Sequence, residues 1–136
     1  MTTKRILHYP GSKWRLADWI VSFFPEHVTY LEPYFGSGAV LFSKNRSQIE
    51  TINDIDGEMI NLFTMIREQP DELIRLIELT PFSREEYDLS YEACTDELEQ
   101  ARRTLVRLWQ GRDGKTAYRT GWRNVYQPKG SVPVKE

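Results

Sequence analysis

YLEPYFGSGAVLFSK, residues 30–44, runs from an apolar, strand-like start through a Gly-Ser-Gly turn into a helix-like stretch. VTYLEP (28–33) joins β-branched and aromatic residues and stops at Pro33, the composition of a short strand. GAVLFSKN (38–45) begins a helix just after the turn, IETIND (49–54) reads as the next strand, and GEMINLFTMIREQ (57–69) is an amphipathic helix closed by Pro70. Strand–helix–strand–helix predicts an α/β unit with parallel strands and a right-handed crossover. Two strands leave sheet surface uncovered, so the pair reads as the start of a larger sheet.

Outward from this unit the sequence predicts helices on both sides. SKWRLADWIVSFFP (12–25) carries apolar residues at helical spacing, with Ser12 as the expected N-cap and Pro25 as the stop. DELIRLIELT (71–80) is capped by Asp71 on this reading, and SREEYDLSYEA (83–93) opens with the Ser83-x-x-Glu86 spacing of a capping box. DELEQARRTLVRLWQG (96–111) reads as the last helix, with Gly111 as its terminator.

The composition suits a folded domain or part of one: 136 residues, 40% hydrophobic, net charge −2. No apolar run approaches a membrane span, and the start lacks the long apolar centre of a signal peptide. The single cysteine, Cys94, fits a reducing, cytoplasmic setting and has no basic neighbour to activate it. His8 and His27 stand without metal-ligand spacing, so no metal is expected. The charge is unevenly spread. Between Glu50 and Glu99 fifteen acids face only Arg67, Arg75 and Arg84, whereas between Arg102 and Arg123 seven basic residues face only Asp113. This switch predicts that the C-terminal stretch faces something negative while the middle faces water.

The turn carries the chemistry. Glycine at 36 and 38 permits a sharp bend and lets a ligand approach the backbone. Asp54, eighteen residues beyond Gly36, is placed at the carboxyl edge of the same sheet, where a carboxylate can bond both hydroxyls of a ribose. Leu41 stands where a dinucleotide fingerprint needs a third small residue, which weighs against a nicotinamide-dependent oxidoreductase, and Ala39-Val40 breaks a P-loop. Glu32-Pro33-Tyr34-Phe35 puts an acid and two aromatic rings at the bend, an arrangement suited to a cationic, phosphate-free nucleoside such as S-adenosylmethionine.

YPGSK (9–13), LEPYFGSGAVLF (31–42) and NDIDGEMINLF (53–63), in this order, resemble the Dam-like adenine-specific DNA methyltransferases. The likeness is close over residues 6–68 and looser through RRTLVRLWQGRDGKTAYRTGWRNVYQ (102–127), similar to the family's helical insertion and the start of its DNA-recognition region. It implies a partial Rossmann-like S-adenosylmethionine-dependent methyltransferase fold: an α/β cofactor part over 1–80, a helical insertion and recognition region over 81–126, and a tail over 127–136. It further implies that Tyr9 and Lys13 contact the methionine moiety, with Lys13 on its carboxylate. Glu32, Pro33, Tyr34, Phe35, Gly36, Ser37 and Gly38 would wall the cofactor, and Asp54 would hold the ribose; Asp56 ranks below it.

The family's catalytic tetrapeptide, Asp-Pro-Pro-Tyr, does not occur in these residues. In family members it stacks on a flipped adenine and orients the exocyclic amine, and such positioning is worth about 7–11 kcal/mol. No catalytic residue is therefore expected here. The chain reads as a truncated form, inactive alone, whose partners would be double-stranded DNA and the missing C-terminal part of the enzyme. Arg112, Lys115, Arg119 and Arg123 alternate with Tyr118, Trp122 and Tyr126, a composition that suits nucleic acid, with Arg112, Lys115, Arg119, Trp122 and Arg123 as the expected DNA contacts. The glycines among them predict a loop that orders on DNA. A non-catalytic DNA-binding or regulatory remnant of the same fold is the competing reading.

Overall fold

The structure, a computed structural model, describes residues 5–112 and 119–123. Its elements are α1 (Ala17–Val21), β1 (Thr29–Glu32), α2 (Ala39–Ser43), β2 (Ile49–Ile52), α3 (Gly57–Glu68), α4 (Pro70–Glu78), α5 (Arg84–Leu89) and α6 (Glu97–Gln110). The two strands pair in parallel, Thr29 opposite Ile49 through Glu32 opposite Ile52. The pairing continues past the C-terminal ends, where Asn53 N–H donates to the Glu32 carbonyl (2.9 Å) and Phe35 N–H to the Asn53 carbonyl (3.0 Å), and begins with Ile49 N–H on the Val28 carbonyl (3.0 Å). The α/β reading holds at this level, a mixed helix–strand fold with a small parallel sheet.

Alternation along the strands separates two faces. Tyr30, Glu32 and Ile52 are half-buried, whereas Leu31 and Ile49, on the opposite face, are 59% and 55% exposed. α3 lies along α6. Met59, Leu62 and Met65 of α3 meet Ala101 and Leu108 of α6, joined by Leu73, Leu7, Phe35 and Phe63 in one apolar cluster. That cluster draws residues from both sides of position 80.

Several helix ends differ from expectation. The first helix starts at Ala17, with Leu16 at its N-cap and no side-chain cap; Ser12 lies upstream in a turn and spends its hydroxyl elsewhere. Pro70 does more than close α3, because it opens α4 at the first helical position, where its missing N–H goes unnoticed. Asp71 is consequently inside the first turn instead of at the cap, which is Gln69. Ser83 caps α5, accepting from Glu86 N–H, but the Glu86 carboxylate is bonded to Arg102. Gly111 does terminate α6, though with φ −76° and not in a left-handed conformation. Proximity is what selects glycine there: a Cβ would lie 2.6 Å from the Arg107 carbonyl oxygen.

The charge asymmetry resolves inside the molecule. Arg102 is buried on α6 and bonds Glu86 (2.7 Å), Glu99 and the Thr80 hydroxyl. Arg103 bonds Glu99 (2.9 Å), and buried Arg107 bonds Glu58 of α3 at 2.5 Å and the Ser90 carbonyl at 2.8 Å. Three acids of the middle, Glu58, Glu86 and Glu99, are thus the negative partners of the basic helix, while Glu68, Asp71, Glu72, Glu78, Glu85, Glu92, Asp96 and Glu97 are exposed, as the sequence leads one to expect. Removing one member of a buried ion pair costs about 3–5 kcal/mol, and the partial exposure of Glu58 puts its loss near the lower end.

The Glu99 carboxyl, bonded first by Arg102 and also by Arg103, is pulled down to about 2. A lowered folded-state pKa means stability that is fully present above the ordinary value of 4.5 and is lost as pH falls toward about 2. Urea-denaturation midpoints measured across this range should fall steeply for the unmodified chain and more shallowly for Glu99→Gln; equal slopes would contradict the assignment.

Candidate functional site

The site begins where β1 ends. Gly36 and Gly38 both have positive φ, 52° and 70°, a region where a side chain costs about 1–2 kcal/mol. The bend is closed by Gly38 N–H on the Phe35 carbonyl (2.9 Å), and Phe42 N–H on the Gly38 carbonyl (3.0 Å) starts α2. Asp54, two residues past the end of β2, stitches the two strand ends together. Its Oδ2 accepts from Gly36 N–H (2.7 Å) and its Oδ1 from Asp56 N–H (3.0 Å). Asp56 caps α3 through Glu58 N–H, a role distinct from the bend.

The two glycines serve different neighbours. A Cβ on Gly38 would lie 2.6 Å from both the Phe35 and Phe42 rings, so the close approach there belongs to the protein's own aromatics and not to a ligand. A Cβ on Gly36 would meet the Tyr9 ring at 3.3 Å. Tyr9 reaches this point on the turn 9–13, closed by Ser12 N–H on the Tyr9 carbonyl (3.2 Å). The Ser12 and buried Ser37 hydroxyls are 2.7 Å apart in a hydrogen bond that joins the N-terminal turn to the glycine bend.

Between these segments lies a cavity of about 350 Å³. Tyr9, Lys13, Glu32, Tyr34, Phe35, Gly36, Ser37 and Asp54, all singled out from the sequence, contribute to its wall. Pro10, Gly11, Ser12, Ala39 and Val40 contribute as well; the sequence signal for the first three was the YPGSK run, read only at its Tyr and Lys. Pro33 is exposed and Gly38 is buried beneath the rings, and neither is part of the wall. Tyr34 stands at the rim, 83% exposed, while Phe35 is chiefly a core residue, edge-on to Phe63 at 4.7 Å between centroids.

The wall is acidic with one lysine. Burial raises the Glu32 carboxyl above the usual range, opposed by the Tyr30 hydroxyl, the Leu41 amide, Lys13 and Lys44. Burial, with the charges of Asp54 and Asp56, also raises Tyr9, so its phenol remains a proton donor. Among the described residues no group of three or more His, Cys, Asp or Glu could hold a metal ion, and no helix is long and apolar enough to cross a membrane.

The basic aromatic segment is partly docked. Gly111 and Trp122 form an antiparallel bridge, with Arg112 N–H on the Gly121 carbonyl and Arg123 N–H on the Gln110 carbonyl (both 2.8 Å). Trp122 lies against Phe82 and donates to Gln110 (3.3 Å). Arg119 bonds Asp88, and Arg123 donates to the Gly111 carbonyl (2.8 Å). Lys115, Tyr118 and Tyr126 lie outside the described residues, as does the tail 127–136.

The parallel strand–helix–strand unit defines a mixed α/β class. The chain belongs to the D12 class N6 adenine-specific DNA methyltransferase family, whose model matches residues 9–111. It is similar to the type II methyltransferase M1.LlaDCHI of Lactococcus lactis subsp. cremoris, 34% identical over 70 residues, which is 51% of this chain and 24% of that protein. It is also similar to the DNA N-6-adenine-methyltransferase of Escherichia phage P1, 29% identical over 73 residues, 54% of this chain and 10% of that protein. The chain therefore spans about a quarter or less of these relatives.

Gly38→Ala should lower unfolding free energy by at least about 2 kcal/mol, combining the left-handed backbone with the ring overlap. Gly36→Ala should cost about 1–2 kcal/mol, because the Tyr9 ring can yield a few tenths of an ångström. Urea denaturation of both variants checks the order, and a Gly38→Ala chain as stable as the parent would contradict the packing reason.

Proposed function

We propose that this chain is the S-adenosylmethionine-binding part of a DNA adenine methyltransferase, built on a partial Rossmann-like fold. The observation that carries the reading is the cavity formed where the N-terminal turn meets the glycine bend, joined through Ser12 and Ser37 and bounded by Lys13, Glu32 and Asp54. Its chemistry fits that cofactor. Lys13 would pair with the methionine carboxylate, a charge-assisted contact. Glu32 and the exposed Tyr34 ring offer a carboxylate and an aromatic face to the sulfonium and ammonium groups. Asp54 already uses both oxygens on backbone N–H groups, yet each carboxylate oxygen has further acceptor capacity, which suits a ribose diol. Bound there, the cofactor supplies an electrophilic methyl group.

On this reading the methyl acceptor is the exocyclic amine of adenine in double-stranded DNA, supported by the family and by the names of both relatives. Arg112, Lys115, Arg119, Trp122 and Arg123 would meet the DNA, those docked at the end of α6 exchanging protein partners for phosphates. The bare sheet face around Leu31 and Ile49 would receive the remainder of the enzyme, which would also bring the Asp-Pro-Pro-Tyr group that holds a flipped base.

Calorimetry should show S-adenosylmethionine binding by the 136-residue chain, no binding of NAD, and roughly tenfold or greater weakening in Lys13→Met, the loss of one charge-assisted contact. The same chain mixed with adenine-containing duplex DNA and labelled cofactor should transfer no methyl group. Binding of NAD in preference to S-adenosylmethionine would overturn the cofactor reading.

A further inference from the structure

We propose that Tyr30 is a positioning residue for the cavity, fixing the Glu32 carboxylate on its wall in the ionised form; the inference rests on the cofactor reading above. Tyr30 and Glu32 alternate onto the same face of β1. The Tyr30 hydroxyl donates to Glu32 Oε2 at 2.9 Å. Three side chains hold the Tyr30 ring. Phe24 and His27 lie against it with centroids 5.7 and 6.0 Å away, and the Lys44 ammonium sits 4.5 Å from its centre. Lys44 is itself buried and anchored by Glu50 (2.5 Å), the Ser47 hydroxyl (2.8 Å) and the Asn45 carbonyl (2.9 Å). A phenol held this way directs its hydroxyl at Glu32.

The groups around Glu32 divide by sign. Lys13 on the N-terminal turn, Lys44 after α2 and the Leu41 amide within α2 favour its charge, as does the Tyr30 hydroxyl. Burial opposes it and is the largest influence. Asp54 shares the cavity wall, and Glu50 on β2 and His27 before β1 face Tyr30 itself. Burial and Glu32 raise the Tyr30 phenol, so it stays a donor across the neutral range. Without that donor, burial prevails further, Glu32 keeps its proton to higher pH, and the wall presents a neutral acid to a cationic ligand.

Tyr30→Phe retains the ring and its packing and removes only the donor. Its affinity for S-adenosylmethionine should be about tenfold weaker at acidic pH, the scale of a hydrogen bond to a charged group, with the deficit shrinking as pH rises and Glu32 ionises in both chains. Glu32→Gln should bind weakly with a flat profile. In the ligand-free chain, the Glu32 carboxyl ¹³C titration should shift upward in Tyr30→Phe, and in the unmodified chain the Tyr30 ring signal should follow the Glu32 titration. A deficit in Tyr30→Phe that is equal at every pH, or an unshifted Glu32 titration, would overturn the proposal. Should Tyr30→Phe fail to fold, a Tyr30 signal indifferent to Glu32 in the unmodified chain would do the same. Absence of cofactor binding by the unmodified chain would instead remove the cofactor reading, while the two titrations still decide whether Tyr30 sets the state of Glu32.

Discussion

The carboxylate of Asp54 holds the site together. One oxygen takes the amide of Gly36 across the sheet and the other takes the amide of Asp56 at the entrance to α3. A backbone turn with positive φ has few ladder bonds to define it, and an anion that collects two N–H groups from separate segments defines it from outside. The glycine bend, the end of β2 and the start of α3 are therefore one unit. Because Gly36 in turn supports the Tyr9 ring, and Ser37 bonds Ser12, the N-terminal turn is added to the same unit without a strand of its own.

Away from the bend, α6 is fastened to its neighbours by charge as well as by apolar packing. Its buried arginines reach acids 16 and 49 residues distant, on α5 and α3. These partners belong to the negative stretch that a linear reading assigns to solvent. Charge that is neutralised internally is unavailable for long-range attraction of nucleic acid. Beyond Gln110, Arg119 is paired in the same way, with Asp88 of α5.

What was legible in the sequence follows the range of each interaction. The strand–turn–helix order, the caps supplied by Ser83 and the glycine at 36 all rest on local backbone demands, and residue types a few positions apart specify them. The cavity wall was legible where motifs named it: Tyr9, Lys13, Glu32 and Asp54 do converge. Ser12 was not, because a serine ahead of an apolar run has the same signature whether it caps a helix or bonds a hydroxyl 25 residues away. Gly38 was read correctly as necessary but for the wrong neighbour, since nothing in a linear pattern tells a ligand from the rings of Phe35 and Phe42. The start of α1 and the exchange of Asp71 for Gln69 at the α4 cap show the same limit on a smaller scale.

The carboxylates of this fold fall into two kinds. Glu50 and Glu99 are pulled down by lysine or arginine partners, so their ionisation stabilises the folded chain. Glu32 is pushed up by burial even with four favourable groups around it, so its ionised form is held in a place that resists it. A fold selected only for stability has no reason to keep a half-buried acid with incomplete compensation beside a cavity. On the proposed cofactor reading, a positively charged ligand would supply what is missing, and the unfavourable part of the acid's burial would become part of the affinity.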